Sequence, residues 1–267
     1  MKKIVFLILA IIIFKVTPAV ANPNMPKDTL IGFVSVGVLT VPEFEGSEDT
    51  ETGPLFATRL QYNHYYIQTR GMGAHLNISP FQNVEFGPSV QYRSARDSSI
   101  ENNVISRLRK VDSAVDAGAF VRFPFRNVLR KADVMALEVD ILTDTSDTHE
   151  GTLITFGPSY RYFSSNRRWS IGTSMALTYA STDFNNTYFS IDADNSVRSG
   201  LPQFNADSGI NSINLSLTAN YQFNKRWGLI GLIGYKKLLG EVADSPIVDI
   251  EGTFSQLTGG IGLSYRF

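Results

Sequence analysis

Three histidines are the residues of this sequence best suited to proton transfer near neutrality. His149 stands in 143–150, Thr-Asp-Thr-Ser-Asp-Thr-His-Glu, with Asp144, Asp147 and Glu150 close in sequence. Such a set could support a His-Asp hydrolase or a weak divalent-cation site, but a solvated outer turn is the reading preferred for it. His75 and Ser79 are four residues apart on one strand pattern, so about 13 Å of strand rise separates them and no nucleophile–base contact follows. His64 follows Asn63 in what reads as a turn. There is no cysteine, no His-Glu-x-x-His motif and no phosphate-cradling glycine loop. The expectation is a protein without a catalytic, cofactor or metal site.

A second charged set is more informative. Glu85, Arg93, Asp116, Arg122, Glu138, Asp140 and Arg161 each fall on the polar parity of an alternating segment. If those segments close into a barrel, these side chains line its lumen, where a charge persists only when paired or hydrated. They form either a salt-bridge plug or the wall of a narrow aqueous path.

The segments that would position them alternate with period two over about ten residues, the length a tilted strand needs to cross a bilayer. In 84–93, Val84, Phe86, Pro88, Val90 and Tyr92 share one face, and Glu85, Gly87, Ser89, Gln91 and Arg93 the other. The same alternation runs through 154–162, 169–179 and 213–223, and Phe-Gly-Pro-Ser occurs in both of the first two segments. Further strands are expected at 30–39, 55–62, 65–78, 115–123, 134–143, 227–238 and 254–267. A single-chain bacterial barrel needs an even number, and Arg70-Gly71-Met72-Gly73 is suited to turning a hairpin inside 65–78. An up-and-down antiparallel barrel of twelve strands follows, with ten the alternative.

Loop lengths orient that barrel, because short turns belong on the periplasmic side. Segments 164–168 and 224–226 are short, whereas 95–113, 180–211 and 239–253 are long and polar. Tyr162, Trp169, Phe223 and Trp227 flank the short turns on the outward parity, and Tyr92, Tyr179 and Tyr235 end strands at the opposite edge, as two interfacial girdles would. Tyr265 and terminal Phe267 close a strand with apolar residues at every second position, which resembles the assembly signal of outer-membrane barrels.

At the other end, Lys2 and Lys3 precede an apolar run over 4–14 and Ala19-Val20-Ala21 follows, so 1–21 reads as a cleaved signal peptide and 22–267 as the barrel. The mean hydropathy is −0.04, and no later apolar stretch would span a membrane as a helix. Without Lys2, Lys3 and Lys15 the 24 basic residues become 21 against 25 acidic, a formal charge of −4 that gives no reason to expect a nucleic-acid partner.

Several short stretches resemble the MltA-interacting protein (MipA) and OmpV family of outer-membrane proteins. Val41-Pro42-Glu43-Phe44-Glu45-Gly46-Ser47 is similar to its Pro-x-aromatic-Glu-Gly-Ser motif, and Ser199-Gly200-Leu201-Pro202 to its Ser-Gly-Leu-Pro loop. Tyr188-Phe189 matches a Tyr-Phe pair, and Leu238 through Val248, including Asp244-Ser245-Pro246, a further motif from which Glu241 and Val242 depart. The resemblance implies a cell outer membrane location in a Gram-negative bacterium, among lipid and lipopolysaccharide. It further implies a scaffold joining a murein-degrading lytic transglycosylase to a murein-synthesising penicillin-binding protein. A narrow permeation channel and a surface adhesin or antigen remain as alternatives, and the oligomeric state is left open.

Overall fold

The computed structural model describes residues 28–267, so the expected signal peptide and the start of the mature chain lie outside the described residues. Twelve antiparallel strands close into one barrel, each paired with its sequence neighbours and β1 with β12. They are β1 (Leu30–Pro42), β2 (Thr50–Tyr62), β3 (Tyr65–Arg70), β4 (Gly73–Asn77), β5 (Glu85–Arg93) and β6 (Ala114–Arg126). The second half comprises β7 (Asp133–Asp144), β8 (Thr152–Phe163), β9 (Trp169–Ala180), β10 (Gly209–Gln222), β11 (Trp227–Leu238) and β12 (Ser255–Arg266). The expected hairpin within 65–78 is present: Arg70 pairs with Gly73, and Gly71 takes a positive φ of 59° that costs a glycine nothing.

That hairpin is short, and it leaves a consequence on β2. Only Arg59 to Tyr62 pair with β3, so the outer half of β2 has one unpaired edge. The Thr58 amide already points toward β3, where it donates to Thr69 Oγ1. Amides two and four residues along point the same way, which puts the nitrogen of Pro54, lacking a hydrogen, on the unpaired edge where no donor is needed.

The exterior is apolar along the whole circumference: Val34, Val36 and Val38 of β1, Ile171 and Met175 of β9, and Leu257, Ile261 and Leu263 of β12 are all exposed. An unpaired amide in hydrocarbon is costly, and closure limits the edges that would carry one, which persist along the outer half of β2. The periplasmic ends of β9 to β12 carry an aromatic belt, with Trp169 packed on Tyr221, Tyr221 on Phe223, Trp227 on Tyr265, and Tyr265 on Phe267.

At the opposite end the long loops fold. Segment 181–208 holds α1 (Thr182–Phe189) and α2 (Ala193–Ser199), 239–254 holds α3 (Gly240–Asp244) and α4 (Pro246–Asp249), and 94–113 contains a 3-10 turn at Ile105–Arg107. Asp192 caps α2 by accepting from the Asn195 amide, and Gly200 ends it with φ 82°. The loops share two apolar cores. One joins Phe184, Phe189 and Ala206 to Val242 and Val248 over Leu153, Ala180 and Leu238 at the barrel rim. The other joins Ile100, Ile105 and Leu108 to Ile191, Leu201 and Ile247, with Phe44 packed alongside. The result is a folded cap over the outer mouth.

Candidate functional site: the lumen beneath the cap

A cavity of about 1640 Å³ occupies the barrel interior. Its lining runs from Asn63, Phe81 and Arg266 at the periplasmic rim up to Glu45, Arg93, Lys236 and Asn211, and includes no residue of α1–α4 or of 94–113. Its lower end is bounded by residues of the periplasmic rim, and above its upper end Phe184 of α1 lies 4.9 Å from the Arg93 guanidinium, within the cap core seated on Leu153, Ala180 and Leu238.

Its charge is lopsided. Arg126, Arg167, Arg168 and Arg266 stand at the mouth, Arg59, Arg70, Arg122 and Arg161 further in, and Arg93 and Lys236 under the roof. Against these ten cations the lining offers five carboxylates, Asp28, Glu45, Glu85, Glu138 and Asp140. A chain whose formal charge is −1 overall thus encloses a cationic space.

The deepest ion pairs come from strand register. Glu85 of β5 lies opposite Arg122 of β6, which in turn lies opposite Glu138 of β7, so the guanidinium reaches Glu85 at 2.6 Å and Glu138 at 3.6 Å. The Tyr66 hydroxyl donates at 2.8 Å to the same Glu85 Oε2 that Arg122 engages, Arg59 stacks on the Tyr66 ring at 3.6 Å, and Arg70 pairs with Glu138. The Arg161 side chain, on β8, has no hydrogen bond or ion pair among the described residues. Arg59, Arg122 and Arg70, all of its own sign, line the same cavity. Gly172, opposite it on β9, leaves the room its guanidinium uses: a Cβ there would sit 3.4 Å from Arg161 Nε.

Asp140 belongs to a separate cluster. It accepts from Ser89 Oγ at 2.6 Å and meets His75 Nε2 at 3.0 Å, while the imidazole stacks on Phe120 at 4.3 Å. Ser89 donates to the carboxylate and not to His75, so the three do not form a nucleophile–base relay. Ser79, the residue weighed with His75 in the sequence, instead bonds the Val84 carbonyl in the β4–β5 turn.

Nearer the roof, Asp116 is shared by Arg93 at 2.6 Å and His149 Nε2 at 2.8 Å. The solvated turn that accounts for His149 in the sequence is corrected here, since the side chain is 2% exposed. Its Nδ1 accepts the Gly151 amide, which fixes the proton on Nε2 and leaves neither nitrogen to serve a substrate. Asp116, Asp144 and His149 bring donor atoms within 4.8 Å of one another, the spacing of a metal site. Protein donors already engage them: Arg93 and His149 on Asp116, and the amides of Thr148, His149 and Glu150 on Asp144 Oδ2.

The remaining wall is neutral. Thr155 and Thr178 pair through their hydroxyls at 3.2 Å and Ser174 and Ser216 at 2.6 Å, with Thr218 and Asn220 below them. This hydroxyl face spans β8 to β10 and adjoins the arginines at Arg161. It was visible in the sequence as polar parity, though its segregation from the charged arc becomes evident only after barrel closure.

The motif residues gather in the cap. Glu45 pairs with Lys236 at 2.9 Å, and Gly46 presents its carbonyl to the Thr253 amide. Ser245 Oγ donates to the Phe189 carbonyl, and Pro246 opens α4. Leu201 and Phe189 are core, Tyr188 packs against it, and Pro42 ends β1. Asp244 ends α3, and Gly200 and Pro202 bracket Leu201 after α2.

A closed barrel with an apolar exterior, an aromatic belt, a charged lumen and folded outer loops defines a transmembrane β-barrel of the outer-membrane class. The chain belongs to the MltA-interacting protein MipA family, whose model matches residues 34–267. It is 27% identical over 222 residues to the outer membrane protein YiaT of Escherichia coli (strain K12), covering 83% of this chain and 84% of that one. Over 131 residues it is 30% identical to the MltA-interacting protein of the same organism, 49% of this chain and 50% of that one. Among solved structures, a bacterial polysaccharide outer membrane secretin covers 89% of this chain and 98% of its own, with 10% identity and a TM-score of 0.45. The chain is an outer-membrane protein of a Gram-negative bacterium.

Proposed function

We propose that the chain is a non-enzymatic docking protein of the outer membrane, holding a murein-degrading lytic transglycosylase at its periplasmic face for co-operation with a murein-synthesising penicillin-binding protein. The supporting observation is the β6–β7 turn. Asp133 accepts the amides of Val128, Leu129 and Arg130, and Asn127 and Ala132 take left-handed conformations, so the turn is internally fixed. It presents Leu129, 70% exposed, and Val128 between Arg126, Arg130 and Lys131. An exposed leucine in a preorganised basic turn is a binding anchor that loses little entropy on docking. The name of the Escherichia coli relative agrees with this reading. Lipid and lipopolysaccharide surround the apolar belt in this account.

The test is capture of the transglycosylase from detergent-solubilised envelopes. Wild-type protein retains it and Leu129→Asp releases it, while both show the same heat-sensitive gel mobility. Equal capture by the two proteins would contradict the assignment of the surface. A second reading, permeation of small solutes, draws on the cavity itself, and bilayer conductance separates the two.

A further inference from the structure

We propose that the lumen binds a small hydroxylated organic anion, a carboxylated sugar in chemical class, entering from the periplasm and held by Arg161. This does not rest on the docking partner. An arginine side chain enclosed by a barrel wall normally has a carboxylate beside it, as Arg122 and Arg93 do. The Arg161 side chain makes no ion pair or hydrogen bond among the described residues, Arg59, Arg70 and Arg122 line the same cavity, and the carboxylates Glu85 and Glu138 are engaged by Arg122 and Arg70. A carboxylate entering here meets uncompensated positive charge with a free planar donor fork.

The neighbouring wall supplies the rest of the recognition. Ser174, Ser216, Thr218 and Asn220 offer donors and acceptors without charge, as sugar hydroxyls require. Arg161 sits two residues from the periplasmic end of β8, within reach of the periplasmic rim, and the cavity of about 1640 Å³ accommodates a monosaccharide with its hydration. Phosphate alone or an apolar acid would use only one of the two walls.

The experiment titrates purified, refolded full-length barrel in detergent with glucuronate, glucose and acetate by calorimetry. Glucuronate binds, glucose shows no measurable binding, and acetate binds at least severalfold more weakly. Arg161→Gln, which removes no existing ion pair, weakens glucuronate roughly tenfold or more, the loss expected for one charge-assisted contact. Ser216→Ala weakens glucuronate but leaves acetate unchanged. Heat-sensitive gel mobility reports that each variant is folded. Failure of the wild type to bind glucuronate, equal binding of glucose, or undiminished binding by folded Arg161→Gln would each overturn the proposal.

Discussion

His149 and Asp116 meet at 2.8 Å with both side chains fully shielded from solvent, and the contact ties the β7–β8 loop down into the barrel mouth. His149 also packs edge-on against Phe184 of α1, so one imidazole links the charged lumen to the apolar core of the cap. His149→Ala removes a hydrogen bond to a charged acceptor and leaves a void beneath Phe184. We expect a loss of about 2–4 kcal/mol from cap stability. Limited proteolysis within 181–208 should accelerate accordingly while the barrel stays heat-resistant, and hydrolysis of ester or peptide substrates should not change.

Phe184 is 1% exposed at the centre of that core. Phe184→Ala costs about 3–5 kcal/mol by the usual cavity penalty, enough to open the cap for part of the time. In planar bilayers the wild type is expected to pass little current, and Phe184→Ala to show frequent open events. A steady large conductance in the wild type would favour the permeation reading.

Glu45 gives the cap a pH dependence. Burial, the largest influence, pushes its carboxyl up, but the Lys236 ammonium and Arg93 guanidinium outweigh it and the net shift is below the ordinary value of 4.5. A lowered folded-state value means the stabilisation is present above the unfolded value and is lost as pH falls through the folded one. Proteolytic resistance of the cap should therefore hold from neutral pH to about pH 5 and decline below about pH 4. Glu45→Gln should be weaker at neutral pH and flat across that acid range.

Gly46 takes φ 104°, and a Cβ there would stand 2.8 Å from Val248 Cγ2. Gly46→Ala adds backbone strain and a clash, so a loss of roughly 1–3 kcal/mol in cap melting is expected. Gly53, on exposed β2 with nothing near its Cβ position, serves as the control, and Gly53→Ala should be near neutral.

What the sequence disclosed follows from locality. Alternation fixes which face of a strand meets the exterior, so eleven segments and the short periplasmic turns were readable locally, and the even count a barrel needs, with Gly71 suited to a hairpin, pointed to twelve. Pairings between neighbours, such as Glu85 with Arg122, follow from register once strand ends are known. Contacts across the barrel do not. His75 reaches Asp140 over 65 residues because the positions in register beside it, Ser89 on β5 and Gly118 on β6, carry a small side chain and none. His149 looked like a solvated turn because its partner Asp116 lies 33 residues away on β6 and its shield, Phe184, in another loop. The family motifs marked the cap without revealing that Ser245 would reach the Phe189 carbonyl across 56 residues.

Whether the lumen opens to the periplasm and is closed outside by the cap is read most directly by cysteine labelling. The chain has no cysteine, so single cysteines report position without background. Val197 is 85% exposed on the cap, Ser216 lines the lumen, and Lys225 is in a periplasmic turn. A maleimide on a polymer too large for porins should label Val197→Cys on intact cells, and Ser216→Cys and Lys225→Cys only after the envelope is opened. Labelling of Ser216→Cys from outside intact cells, or protection of Val197→Cys there, would contradict the account.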